Sequence, residues 1–321
     1  MADDSNATGS QSHVVVYAAL FANIVIAVGK FIAAAVSGSS AMWSEGVHSL
    51  VDSVNEILLL YGLHRSGAKP SRTHPLGYGR EIYFWSFMVA MLVLAFGAGL
   101  SLYQGYLRFN NGAALEKPAL AFLMLSISFV FEGGSWIVAV RHFRAGKGTL
   151  GYFEALQGSK DPSVFTILVE DTAALAGIVL AAAGLLASVL TGSSKYDAAA
   201  SIAIGLLLTG SAMFLAKETK SLLIGEAAHS HVRDCILAIA ARDPGVRKVN
   251  GLITVQMGPD QVIAALSAEF EDALTTPQIE ACVRRIETQV KEAREEVTTL
   301  FVKPQTPETF RERTEELDDT G

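Results

Sequence analysis

The feature that most limits how this chain can fold is a succession of apolar segments running from Val14 to about residue 217. A bilayer core about 30 Å thick is crossed by ~20 helical residues, and each segment is about that long or longer. Six can be counted, at 14–37, 40–63, 82–107, 118–140, 163–190 and 196–216. Turn-forming or polar stretches separate them: SGSS at 37–40, a polar loop at 64–79, RFNNG at 108–112, a basic loop opening at 141–148, and TGSSK at 191–195. Half of the residues (50%) are hydrophobic and only 18% are charged, which excludes a disordered chain and argues against a single soluble domain. The predicted fold is therefore a membrane all-α domain of six transmembrane helices over 14–217, preceded by a flexible polar tail over 1–13.

Charge refines the picture. The formal net charge is −7, so no global positive field draws the chain to nucleic acid, and no nucleic-acid partner is expected. Locally, Arg65, Lys69, Arg72 and Arg80 follow the second span, and Arg141, Arg144, Lys147 and Lys160 follow the fourth. The opposite turns hold only Arg108, Lys117 and Lys195. The positive-inside rule places the two basic loops, and with six spans both termini, in the cytoplasm. The N-terminal residues lack the Arg-rich character of a transit peptide, and the short acidic start favours a bacterial inner (plasma) membrane. Tyr83 and Trp85, opening the third span, read as interface anchors. The two cysteines, Cys235 and Cys282, are too few for a disulfide framework and read as small buried residues.

After Lys220 the pattern changes. The stretch 231–242 reads as an amphipathic helix with Val232, Ile236, Ile239 and Ala240 at helical spacing. Two strands, 252–257 and 262–270, flank a Gly258-Pro259-Asp260 hairpin signal. In the second, Val262, Ala264, Leu266, Ala268 and Phe270 share one face. Thr276 and Pro277 open a helix with the stripe Ile279, Val283, Ile286 and Val290, and 297–302 is a last strand. The order α-β-β-α-β over 221–304 predicts a small cytoplasmic α+β domain, ferredoxin-like, with helices on one face of a three-stranded sheet. The acid-rich residues 305–321 read as a disordered tail.

The chemistry lies in ionisable residues inside spans, where a charge at the bilayer centre costs at least ~2.5 kcal/mol. The second span carries Glu45, His48, Asp52 and Glu56 at steps of three, four and four, all on one helix face. His48 and Asp52 form an i/i+4 pair able to close on one divalent cation. The fifth span carries Glu170 and Asp171 among small residues that let a neighbouring helix approach. Together, His48, Asp52 and one or both of Glu170 and Asp171 offer one nitrogen and two or three oxygen ligands, enough for tetrahedral Zn2+. Glu170 shares its face with Ser163, Thr166 and Gly177, and Asp171 with Leu175 and Ile178. The spacing alone leaves open which of the two faces the ligands. The bland alternative is a polar seam that only holds helices together. Lys30, Glu132 and Asp197 are further charges within spans; Lys30 can snorkel or pair with a carboxylate.

The segments SGSSAMWSEGVHSLVD at 37–52, THPLGYGREIYFW at 73–85, DPSVFTILVEDTAALAG at 161–177 and the Gly225-Glu226 junction resemble the cation diffusion facilitator family, in its subgroup with an HPxGYGRE-type loop that includes zinc-transporter homologues. The resemblance covers about 14–304. It implies a homodimer of six-span protomers exporting a divalent metal in exchange for protons, with a metal site between spans two and five to which His48 and Asp52 correspond. The fifth span departs from the family's His or Asp four residues before an Asp, since Ile167 precedes Asp171 and Thr166 precedes Glu170 at that distance. Fewer nitrogens tilt the preference from Zn2+ toward Mn2+ or Fe2+. At the family's loop metal site, His74 is present but Tyr78 and Ser71 stand at the other ligand positions, so that site is expected to be absent or weak and His74 to bond within its loop. Asn250, Ser267 and Val302 replace the soluble domain's ligands, and His229 and His231 read as surface residues. No HExxH pattern occurs, so an intramembrane metal enzyme is not expected, and no organic cofactor is implied. A non-transporting scaffold of the same fold is the remaining alternative.

Overall fold

The computed structural model describes residues 23–112, 117–146 and 151–318. The tail at 1–13, residues 14–22 of the first span, and Lys147 lie outside the described residues. The chain divides into two units, one holding the residues up to Arg65 with Glu81–Lys220, the other Ser66–Arg80 with the residues from Ser221 onward.

Among the described residues, the first unit consists of six helical rods and one short helix. They are α1 (Asn23–Ser37), α2 (Ser40–Ser66), a third rod, α5 (Pro118–Gly146), short α6 (Tyr152–Gly158), α7 (Pro162–Thr191) and α8 (Lys195–Ile224). The third rod joins α3 (Glu81–Leu92) and α4 (Gly99–Asn111) through a π-helical stretch, Val93–Ala98. The rods fall where the apolar segments predict them; α6 carries no sequence period long enough to announce it, and α8 continues past residue 216. Among the described residues, four rods are long and apolar enough to cross a membrane by length and composition: Glu81–Asn110, Pro118–Arg141, Pro162–Thr191 and Lys195–Ile224. Large apolar side chains such as Val28, Ile32, Val130, Val138, Leu190 and Met213 point outward, a surface suited to lipid rather than water.

Because lipid tails are as apolar as leucine, such rods must be held by close packing and polar contacts. A Cβ on Gly105 of α4 would lie 2.7 Å from the Ile202 side chain and 2.9 Å from its backbone nitrogen, and one on Gly205 of α8 would lie 2.7 Å from Leu102. The two glycines bring α4 and α8 together nearly backbone to backbone. Asp197, at the start of α8, caps α2: one carboxylate oxygen accepts from the Ser39 hydroxyl, and the other from Ser40 N–H at 2.6 Å and the Ser40 hydroxyl at 2.8 Å. α7 is started by Asp161, which accepts from Ser163 N–H at 3.0 Å, with Pro162 in the first turn. Tyr83, expected as an interface anchor, is instead fully buried and donates to the Lys160 carbonyl; its hydroxyl finds a protein partner and has no need of the membrane surface.

The second unit carries α9 (Ser230–Arg242), β1 (Val246–Gly258), β2 (Gln261–Phe270), α10 (Thr276–Ala293) and β3 (Val297–Pro304). The sheet order is β1-β2-β3. β1 and β2 form an antiparallel hairpin, and β3 runs parallel to β2 after the α10 crossover. β1 begins six residues before the expected strand, at Val246, because backbone pairing with β2 continues through register shifts that break the side-chain alternation. Val262, Ala264, Leu266, Ala268 and Phe270 are all buried. Val262, Ala264 and Leu266 pack with Val232, Ile236 and Ala240 of α9 and Ile286 and Val290 of α10. Phe270 and Ala268 pack with Cys282. The cap of α10 is Thr275, one residue before the expected position, in a reciprocal box with Gln278. Arg285 of α10 donates two hydrogen bonds, at 2.9 and 3.0 Å, to Asp243 at the end of α9. Burial pushes the Asp243 carboxyl upward, but bonds from Arg285 and Gly245 N–H outweigh it and hold the group below the usual carboxylate range.

Two segments differ from the sequence reading. The acid-rich stretch expected to be disordered carries a helix, α11 (Pro307–Asp318). Pro307 opens it, the Thr306 hydroxyl accepts from Thr309 N–H, and the Phe310 ring lies against Gly251 of β1. One anchoring aromatic supplies what a count of apolar residues misses. The polar loop after α2 belongs to the second unit: a Cβ on Gly258 would lie 3.2 Å from Gly79 Cα, so the hairpin turn and the His-Pro-Leu-Gly-Tyr-Gly loop pack backbone to backbone.

Candidate metal site

α2 carries the site because its polar residues recur on one face. Glu45 and His48 are buried and Asp52 is half-buried. His48 Nδ1 lies 3.3 Å from Asp52 Oδ1, yet both His48 nitrogens and Asp52 Oδ1 lack an aligned hydrogen-bond partner. Such orphaned atoms are uncommon in a buried position and mark a place where a further ligand fits. Beside this pair the helices leave a cavity of about 660 Å³ whose acidic lining is Asp52, Glu56, Glu132, Glu170 and Asp171.

The two fifth-span acids separate in space. Glu170 Oε1 accepts from Asn55 Nδ2 on α2 at 2.7 Å, one helical turn from Asp52. Asp171 Oδ2 accepts from the Ser135 hydroxyl on α5 at 2.9 Å. Both carboxylates line the cavity, but only Glu170 is bonded to the helix that carries His48. The structure thus joins His48 to Asp52 directly and brings Glu170 and Asp171 to the same chamber. It does not gather all four: among the described residues no three His, Cys, Asp or Glu side chains converge closely enough to hold one ion. Thr166, on the Glu170 face, is buried with its hydroxyl unpartnered.

Residues that spacing alone did not assign complete the chamber. Asn23 of α1 donates to Glu56 at 2.7 Å. Glu132 and Ser135, three apart on α5, bring that helix to the cavity; their i/i+3 spacing was the available signal. Lys30 pairs with carboxylates rather than snorkelling: its Nζ lies 3.2 Å from Glu45 and 3.8 Å from Glu132. Gly177 of α7 faces Glu45, where a side chain would collide with the carboxylate. In the second unit, the Ser71 hydroxyl accepts from His74 N–H at 3.1 Å, His74 Nδ1 lies 3.1 Å from the Thr73 hydroxyl, and the His74 and Tyr78 rings meet at 4.5 Å. Asn250 donates to the Gln305 carbonyl at 2.8 Å and to Ser267. The rings of His229 and His231 are exposed and stacked, 5.4 Å apart.

Apolar rods with an outward lipid-suited surface and an acidic chamber among them, continuous in sequence with a small α+β unit, define a polytopic membrane protein with a polar, acid-lined interior. A model of the cation efflux transmembrane domain matches residues 16–224. The chain belongs to that family, the cation diffusion facilitators, which are transporters rather than enzymes. It is 30% identical over 249 residues to the human proton-coupled zinc antiporter SLC30A9, mitochondrial, covering 77% of this chain and 44% of that protein. It is 31% identical over 243 residues to metal tolerance protein C4 of Arabidopsis thaliana (75% and 53% covered). To the manganese efflux system protein MneP of Bacillus subtilis it is 21% identical over 293 residues (88% and 92%). The chain thus spans about half the length of the first two relatives. Among solved structures, the nickel form of a MamM C-terminal-domain variant is 22% identical, with a TM-score of 0.23, covering 24% of this chain and 98% of that one. Since the relatives at 30% identity or more include proteins named as mitochondrial, they lend no support to the bacterial plasma membrane expected from the sequence.

Proposed function

We propose that this chain carries a divalent transition-metal cation, Zn2+ foremost, across a membrane in exchange for protons, through the chamber between α2 and α7. The observation that carries this reading is the unpartnered His48–Asp52 pair beside a cavity whose acidic lining includes Asp52, Glu170 and Asp171. A metal needs deprotonated imidazole and carboxylate ligands, so metal and protons compete for the same atoms, and alternating exposure of such a site gives exchange. His48 supplies the nitrogen and Asp52 the first oxygen. Glu170 supplies the next, once released from Asn55, and Asp171 swings from Ser135 to complete or relay the site. The basic loops face the side from which metal is taken, with both termini on that side, and protomers pair as homodimers. The chain has no catalytic role in this account and takes no organic cofactor.

An oxygen-rich chamber also suits Mn2+ or Fe2+, and the relative named for manganese efflux supports that second reading of the substrate. The test is uptake of Zn2+, Mn2+, Fe2+ and Co2+ into proteoliposomes with an imposed pH gradient. Wild type should accumulate metal in proportion to the gradient, and His48→Ala and Asp52→Ala should each lose at least ten-fold in rate. Undiminished transport by both variants would show the site to be misplaced; no transport by wild type under any gradient would leave the scaffold reading.

A further inference from the structure

Lys30 is fully buried on α1, and its Nζ sits among three oxygens from two other rods: Ser49 Oγ at 2.7 Å, Glu45 Oε2 at 3.2 Å and Glu132 Oε1 at 3.8 Å. An ammonium this deep is retained only where oxygens replace its lost water. The arrangement is what a desolvated cation requires: two carboxylates and a hydroxyl around the charge. Glu45 has capacity to spare, since its Oε1 is buried and unpartnered. That oxygen packs against Gly177 of α7, where a Cβ would lie 2.5 Å from it. Glu132 belongs to this cluster and to the chamber lining at once, so the two sites share a wall.

We propose that Lys30 is a built-in cation filling a second cation position next to the chamber, so that the protein takes one divalent ion where its carboxylates would otherwise take two. The proposal rests on the transport reading only for the first ion; the second position stands on Lys30, Glu45, Ser49 and Glu132 themselves. A tethered ammonium cannot be exchanged or carried. It neutralises acids that would compete for the substrate and fixes Glu132 on the chamber wall. A divalent ion placed at the ammonium would find the same oxygens, and such an all-oxygen set suits Mn2+.

The experiment counts ions. Full-length chain in detergent is dialysed against Mn2+ alone, and bound metal per chain is measured for wild type, Lys30→Met, Lys30→Met with Glu45→Gln, and Lys30→Arg. The expected counts are one, two, one and one. The same Lys30→Met change made with His48→Ala and Asp52→Ala should bind a single ion, whereas His48→Ala with Asp52→Ala alone should bind none. Should wild type bind no Mn2+ while Lys30→Met binds one, the transport site fails and the Lys30 assignment stands. Should Lys30→Met bind no more than wild type, the assignment is overturned. If Lys30→Met is not recovered folded in metal-free buffer, millimolar Mn2+ during purification should restore a monodisperse protein, because the ion takes the ammonium's place; failure of that rescue also overturns it.

Discussion

Gly177→Ala tests the interior of the helical unit with a single methyl group. A Cβ at this position would lie 2.5 Å from Glu45 Oε1, while its next neighbours, Glu45 Cδ and Ile204 Cγ2, stand at 3.7 and 4.0 Å. The obstacle is therefore one carboxylate oxygen. That carboxylate would have to retreat by about 1 Å to reach ordinary contact, and it is not free to do so, because its other oxygen holds Lys30 at 3.2 Å. Overpacking of this kind costs about 1–3 kcal/mol. Against it, replacing a mid-helix glycine by alanine gains roughly 0.8–1 kcal/mol of helix propensity. The two terms separate in a cycle with Glu45→Ala, which removes the obstructing oxygen. In that background Gly177→Ala should stabilise by the propensity gain alone; with Glu45 present it should destabilise or at best break even. The interaction between the two substitutions is thus about 1–3 kcal/mol. The assay is thermal unfolding of the detergent-solubilised full chain, in which each kcal/mol moves Tm by roughly 2–4 °C for a unit of this size. Equal Tm shifts in the two backgrounds would refute the placement of Glu45 against α7, and with it the route by which α1, α2 and α7 are held together.

Two further outcomes follow from the same structure. Asp197→Ala should cost more than the ~0.5–2 kcal/mol of an ordinary N-cap, because Asp197 satisfies Ser39 and both donors of Ser40; thermal melting would show this, and Asp197→Asn should recover part of it. Asp243 is held below the usual carboxylate range by Arg285 and Gly245 N–H, against the upward push of burial. Its stabilising contribution is therefore whole above the unfolded pKa of about 3.9 and drains away as pH falls through the lower folded value. The stability gap between wild type and Asp243→Asn should shrink with acidification below about pH 4 and stay flat from pH 5 to 8; a gap that widens in acid would reverse the sign of that argument.

What the sequence determined by itself is whatever depends on near neighbours along the chain. Apolar runs long enough to cross a bilayer set the positions of the rods, and the alternation from Val262 to Phe270 set the buried face of β2. The four-residue step from His48 to Asp52 put both on one side of α2, since helical periodicity alone decides it. Tertiary structure decided what depends on how separate rods meet. Adjacent residues such as Glu170 and Asp171 point in different directions, and only the packing of α7 between α2 and α5 sends one to Asn55 and the other to Ser135. Lys30 finds Glu45 and Glu132, Asp197 becomes the cap of a helix 157 residues earlier, and Phe310 anchors α11 on Gly251. Each is a contact between residues on separate elements, and a buried charge is settled by whichever partner the fold delivers.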